Sequence, residues 1–166
     1  MPAPAKVRTF DSHHAIVQAW TINGEITRYL LDHIDPTIWD AAPPKGRSIA
    51  AIFAHIHNVR GMWLKASGAP DVPEKLEGRT CTQPEVREAL VSSGAACRDL
   101  IGRAMEDGGR VKGFKPDAVS FLGYLIAHDA HHRGQISMMA RQLGKPISKQ
   151  AMFGMWEWGR FAKQAP

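Results

Sequence analysis

His128, His131 and His132 fall within five residues of one another, in the run His128-Asp129-Ala130-His131-His132-Arg133-Gly134-Gln135. A neutral imidazole carries a nitrogen lone pair at physiological pH, so clustered histidines suit divalent metal binding or proton transfer. On a helix, His128 and His132 stand one turn apart on the same face. Two such rings on one rigid element can bind one ion, and a third ligand must then come from elsewhere. His55, in the other strongly apolar helical stretch, is the best donor.

Helical phase, at about 100° per residue, tests this reading. Phe121, Leu125, His128, His132, Ile136 and Met139 form one continuous stripe, so the two rings occupy positions where core side chains belong. A buried polar group without a partner costs about 1–3 kcal/mol, and one ion would satisfy both rings. In the second helical segment, Ile52, Val59 and Met62 lie within about 60° of His55, whereas His57 lies about 160° away. His55 is therefore expected on the core face and His57 off it. His57 and His131 stay open as competing ligands. Asp129 is expected on the far face, outside the ligand set. Arg133 is free to pair with a carboxylate, Gly134 to admit a neighbouring helix, and Gln135 to cross-link helices. His13, His14 and His33 read as surface or helix-end residues.

Four long helical patterns must position these groups. The first runs from about Ser12 to Ile34 and stops at Asp35-Pro36. After the loop Pro43-Pro44-Lys45-Gly46, Ser48 is the expected N-cap of a second helix ending near Ala66. A linker with Gly68, Pro70, Pro73 and Gly78 should hold no regular helix. Thr82 or Gln83, followed by Pro84 and Glu85, starts a third helix reaching about Glu106. The fourth spans about Ala118 to Leu143 and is closed by Gly144 and Pro146. Met152, Phe153, Met155, Trp156, Trp158 and Phe161 make the tail too apolar to be loose, so a short final helix or turn should dock on the bundle. With no strand pattern, the expected fold is an all-α four-helix bundle forming a single domain over residues 1–166. Its linkers leave the order of helices around the bundle open.

The chain of 166 residues, 44% apolar and 22% charged, has the composition of an ordinary globular domain. Its net charge of +5 is scattered. The densest basic stretch, Arg133, Arg141, Lys145, Lys149, Arg160 and Lys163, gives little support to nucleic-acid binding. Cys81 and Cys97 match neither a zinc knuckle nor a redox pair, and a reduced, intracellular setting is expected. Met1-Pro-Ala-Pro-Ala-Lys has no apolar core of signal-peptide length, and no run is long enough to span a membrane. A soluble, cytoplasmic protein is the expectation.

Two stretches carry a resemblance. His55-Ile56, in a helix ending Met62-Trp63-Leu64, and Tyr124-Leu-Ile-Ala-His128-Asp-Ala-His-His-Arg-Gly-Gln-Ile136 resemble the DinB/YfiT-like superfamily of bacterial four-helix bundles. The likeness covers the first helix to the end of the fourth, with His-His-Arg-Gly-Gln its specific part. It implies a metal triad of His55, His128 and His132 holding zinc or nickel, with water or substrate completing the shell. It also implies homodimers, and activities such as transferases and isomerases that use low-molecular-weight bacterial thiols on small molecules. The chain departs from the pattern at Arg60, where many relatives carry an acidic residue, and in the Trp156-Glu157-Trp158 tail. Two readings compete: a metal-dependent thiol transferase or hydrolase, and a non-catalytic metal-binding stress or interaction protein. No general base is evident beside the triad; His131 and Glu157 are the candidates.

Overall fold

The computed structural model describes residues 9–164. The N-terminal segment Met1-Pro-Ala-Pro-Ala-Lys, read above as lacking a signal peptide, lies outside them. Four long helices make the bundle: α1 (Ser12–Asp32), α2 (Ile49–Ser67), α3 (Gln83–Glu106) and α4 (Ala118–Gln142). Two short ones follow, α5 (Lys149–Gly154) and α6 (Trp158–Gln164). Among the described residues there is no strand, and no helix is long and apolar enough to cross a membrane.

Local chemistry sets the helix limits. Asp11, Ser48, Thr82 and Asp117 each accept a hydrogen bond from a first-turn backbone N–H, satisfying a donor the helix itself cannot. Thr82 and Glu85 complete a reciprocal capping box. Gly68, at φ 75°, ends α2 in the left-handed conformation that glycine adopts without strain.

Both α1 and α2 pack against α3 and α4, so the order around the bundle is α1, α3, α2, α4. The chain thus crosses the bundle diagonal twice, between α1 and α2 and between α3 and α4. The α2–α3 linker is irregular, as expected, but it is tied down. Asn58 donates from Nδ2 to the Leu76 carbonyl (2.9 Å), and its Oδ1 accepts from the Leu76 N–H (2.9 Å).

The core is built in two apolar halves. One gathers Leu30, Phe53, Ile56, Leu90 and Ile136, and the other Trp20, Leu64, Cys97, Phe121 and Leu125. Between them every long helix contributes buried polar groups: Asn23 and Thr27 from α1, Arg60 from α2, Ser93 from α3 and Asp129 from α4. A polar layer therefore divides the bundle at mid-height.

The tail docks, but not through its tryptophans. Phe161 is buried against Ile22 and Ile26, with Tyr29 and Met155 beside it. Trp156 is 77% exposed and Trp158 40%. The expected docking of a short C-terminal helix on the bundle is thus present, carried by Phe161, with Trp156 and Trp158 left largely outside it.

Candidate metal centre

The polar layer contains a buried ion pair that the helical wheels did not anticipate. Asp129, expected on the far face, is fully buried. Its Oδ2 accepts from Arg60 Nη2 at 2.6 Å and from Asn23 Nδ2 at 2.7 Å. Burial alone would raise the Asp129 carboxyl, but Arg60, with His128 and Arg133, outweighs it and holds the group below its ordinary value. Arg60 is itself buried; Nη1 donates to the Leu90 carbonyl (3.2 Å), and the guanidinium lies 4.9 Å from the Trp20 ring centre. Arg133 reaches α1, where Nη1 donates to Asn23 Oδ1 and Thr27 Oγ1, both at 2.8 Å.

At the edge of this layer, between α2 and α4, the structure brings His55, His128 and His132 together. Each offers one nitrogen, and the three lie within 4.8 Å of one another. Ring centres are 4.5 Å apart for His128 and His132, 4.7 Å for His55 and His132, and 5.3 Å for His55 and His128. Among the described residues this is the group of histidines, cysteines and acids that could hold a metal ion.

The donor chemistry fits such an ion. Burial, the nearby Arg47 charge and the other two rings lower the His55 pKa from 6.5 to about 4, so the ring is neutral at physiological pH. Burial lowers His132 too, against the opposing effect of Gln135. Hydrogen bonds also sort the nitrogens. His132 Nδ1–H donates to Gln135 Oε1 at 2.8 Å, which leaves Nε2 with the lone pair. His128 Nδ1 is buried without a partner and lies 3.6 Å from Asp129 Oδ1, which is also unpartnered. That carboxylate is placed to hold the His128 ring with Nε2 free for an ion.

Several neighbours differ from expectation. His57, placed off the core face by the wheel, is buried at 1% exposure, while His55 is only half-buried and Met62 is 52% exposed. His57 lies between α3 and the linker, with Nδ1 2.9 Å from the Ala89 carbonyl and Nε2 2.8 Å from the Glu74 carbonyl. Both nitrogens are engaged, so His57 is not a ligand. The wheel failed because α2 is apolar nearly all round and is covered on several sides. His131 is exposed, with its ring centre 5.0 Å from that of His132, outside the cluster. Gln135 bonds within its own helix rather than across helices. Nothing approaches Gly134 closely. Glu157 pairs with Arg160 at 3.0 Å and not with the triad. Burial pushes the Cys97 thiol up to about 12 and raises that of Cys81, so neither is a nucleophilic thiolate at neutral pH.

A cavity of about 410 Å³ opens beside His132, lined by Arg47, Ile52, Gln135, Met138 and Met139 among others. It is large enough for a small molecule, with largely apolar walls and one exposed cation, Arg47.

A helical bundle whose central polar layer ends in three converging imidazoles defines the class of protein. The family follows from the sequence: the model of the DinB family matches residues 6–152, and the chain belongs to the DinB family. No curated protein and no solved structure matches it.

Proposed function

We infer that His55, His128 and His132 bind one divalent ion, zinc or nickel, and that the centre acts on a small molecule with a low-molecular-weight thiol as cosubstrate. The observation that carries this reading is the convergence of three imidazole nitrogens within 4.8 Å, with one of the rings, His132, on the wall of a cavity open to small molecules. Once bound, the ion supplies a Lewis acid able to keep a thiol as thiolate, or a water as hydroxide, at neutral pH.

The chain's own groups supply the rest. Imidazole ligands add no charge and leave the ion its own, Gln135 fixes the orientation of His132, and Asp129 stands beside His128. Arg47, on the cavity wall, attracts an anionic group such as a carboxylate of the thiol or its partner. Met138, Met139 and Ile52 give the cavity its apolar side, although Met138 is itself 63% exposed. No carboxylate lines this cavity, so proton transfer falls to His131 or to solvent, and hydrolysis is a weaker reading than thiol transfer. A homodimer belongs to the same reading and rests on the family resemblance, whereas a cytoplasmic setting rests on the cysteine usage and the lack of a signal-peptide core read from the sequence.

The test begins with metal analysis of protein purified without a histidine tag. Wild type should carry one ion per chain, and His55→Ala, His128→Ala and His132→Ala should each lose it. Full metal content in all three variants would overturn the assignment. A screen of thiols against electrophiles, with and without chelator, then separates catalysis from a purely structural tie between α2 and α4. The structural tie predicts lower stability on chelation and no turnover with any thiol.

A further inference from the structure

On the far side of α4 from the imidazoles, a second cavity of about 510 Å³ lies between α1, α4 and the C-terminal helices. Ile26, Ile126, Met155, Trp156 and Trp158 give it apolar walls. Its charged lining residues are Arg133 and Arg141, and no acidic residue faces them. The exposed tryptophans, unexplained by docking of the tail, thus form one wall. Met155, Trp156 and Trp158 lie beyond residue 152, where the family match ends.

The charge balance beneath it is uneven. Two guanidiniums, Arg60 and Arg133, share one buried carboxylate, Asp129, and Arg60 takes the direct contact. Among the described residues Arg133 forms no ion pair. Its Nη1 is held by Asn23 and Thr27, while Nε and Nη2 make no hydrogen bond and are not sealed from solvent. A fixed, half-desolvated cation with an open edge, at an apolar cleft of ligand size, is complementary to an anion carrying an apolar body.

We propose that this cavity binds a small amphipathic monocarboxylate, its carboxylate on Arg133 and its apolar chain against Trp156, Trp158 and Ile126. The site is separate from the imidazole centre and does not depend on metal there.

The probes are decanoate and 1-decanol, which share a chain and differ in charge. Titration calorimetry of the full chain, with tryptophan fluorescence as a second readout, should show saturable decanoate binding about tenfold tighter than decanol, the scale of one charge-assisted hydrogen bond. Arg133→Gln should remove that difference. A Cβ at Gly134 meets nothing within 4 Å, so Gly134→Leu should fill the cavity and abolish binding of both probes without disturbing the helix. His128→Ala should leave decanoate binding unchanged. Equal affinity for the two probes overturns the proposal, as does decanoate binding that survives Gly134→Leu. Loss of decanoate binding in His128→Ala would place the carboxylate at the imidazole centre and also overturn it. So would a wild type that ignores decanoate and is converted from dimer to monomer by Gly134→Leu, because the occupant is then a second copy of the chain. If Arg133→Gln fails to fold, the probe ratio and Gly134→Leu decide.

Discussion

The interior and the edge of the polar layer use the same kinds of residue to opposite ends. Inside, Arg60, Asp129, Asn23, Thr27 and Arg133 answer one another across three helices. At the edge, His55, His128 and His132 converge on a shared point, and among them only His132 has an outer hydrogen bond, to Gln135, that fixes its orientation. Alternate residues of one α4 segment serve both regions, Asp129 and Arg133 inward and His128 and His132 toward α2. A polar residue in a bundle core is thus either matched by the fold or held ready for something else. The difference lies in convergence and not in complete pairing, since Arg60 Nε, Ser93 Oγ and Asp129 Oδ1 are buried without a partner in the interior as well.

The interior should answer hardest to mutation. Asp129→Ala leaves the Arg60 guanidinium buried without its counter-charge, which costs about 3–5 kcal/mol. Urea unfolding reads this directly. The double replacement Arg60→Met with Asp129→Leu should recover most of the loss, because it removes both charges together. A loss below about 1 kcal/mol for Asp129→Ala, the range of an exposed pair, would erase the distinction between interior and edge.

The edge should be nearly silent until metal is added. With free zinc at about a hundred times its dissociation constant, the wild type should gain about 2.7 kcal/mol, the value set by linkage. His132→Ala should gain nothing. Equal stabilisation of both proteins would show zinc binding elsewhere, and the three rings would then belong with the structural polar groups.

His57 tests the boundary, as a histidine with the interior's role on the helix that carries His55. His57→Ala should cost about 1–3 kcal/mol, because it empties a buried position and removes the ring's hydrogen bonding between α3 and the linker, and should leave zinc content unchanged. Chemical denaturation and metal analysis on one preparation check both halves. This residue also marks where the sequence stopped being legible. The four helices, the caps at Ser48 and Thr82, and the convergence of His55 with His128 and His132 could be read from periodicity and local chemistry. The relative burial of His55 and His57 could not. A wheel registers the stripe of its own helix, whereas α2 packs on both α3 and α4 and is also covered by the linker. The Arg60–Asp129 pair spans 69 positions, beyond any local pattern. One signal was available: opposite charges in two otherwise apolar helices each need a partner, and each is the other's. The order α1, α3, α2, α4 depends on long connections that the sequence does not constrain. The cavity beside Trp156 exists only once α5 and α6 have folded back onto α1.

The smallest effect concerns protons at the edge. Burial, Arg47 and the neighbouring rings lower His55 from 6.5 to about 4, so the folded chain resists a proton that the unfolded chain accepts. Between those two values the unfolded state binds more protons, and stability must rise with pH. Metal-free protein should therefore melt at progressively lower temperature as pH falls from 6.5 to about 4. Asp117 and Asp129, held below the ordinary carboxylate value, add their losses only at the acid end of that range and below it. His55→Asn, which cannot take the proton, should show the shallower slope by calorimetry. The difference is modest because His55 is only half-buried and water screens part of the repulsion. Zinc should steepen the wild-type slope and leave that of His55→Asn unchanged, since proton and ion compete for the same lone pair. Identical slopes for the two metal-free proteins would mean that His55 titrates as it does in water. The contrast with the interior would then rest on hydrogen bonding alone.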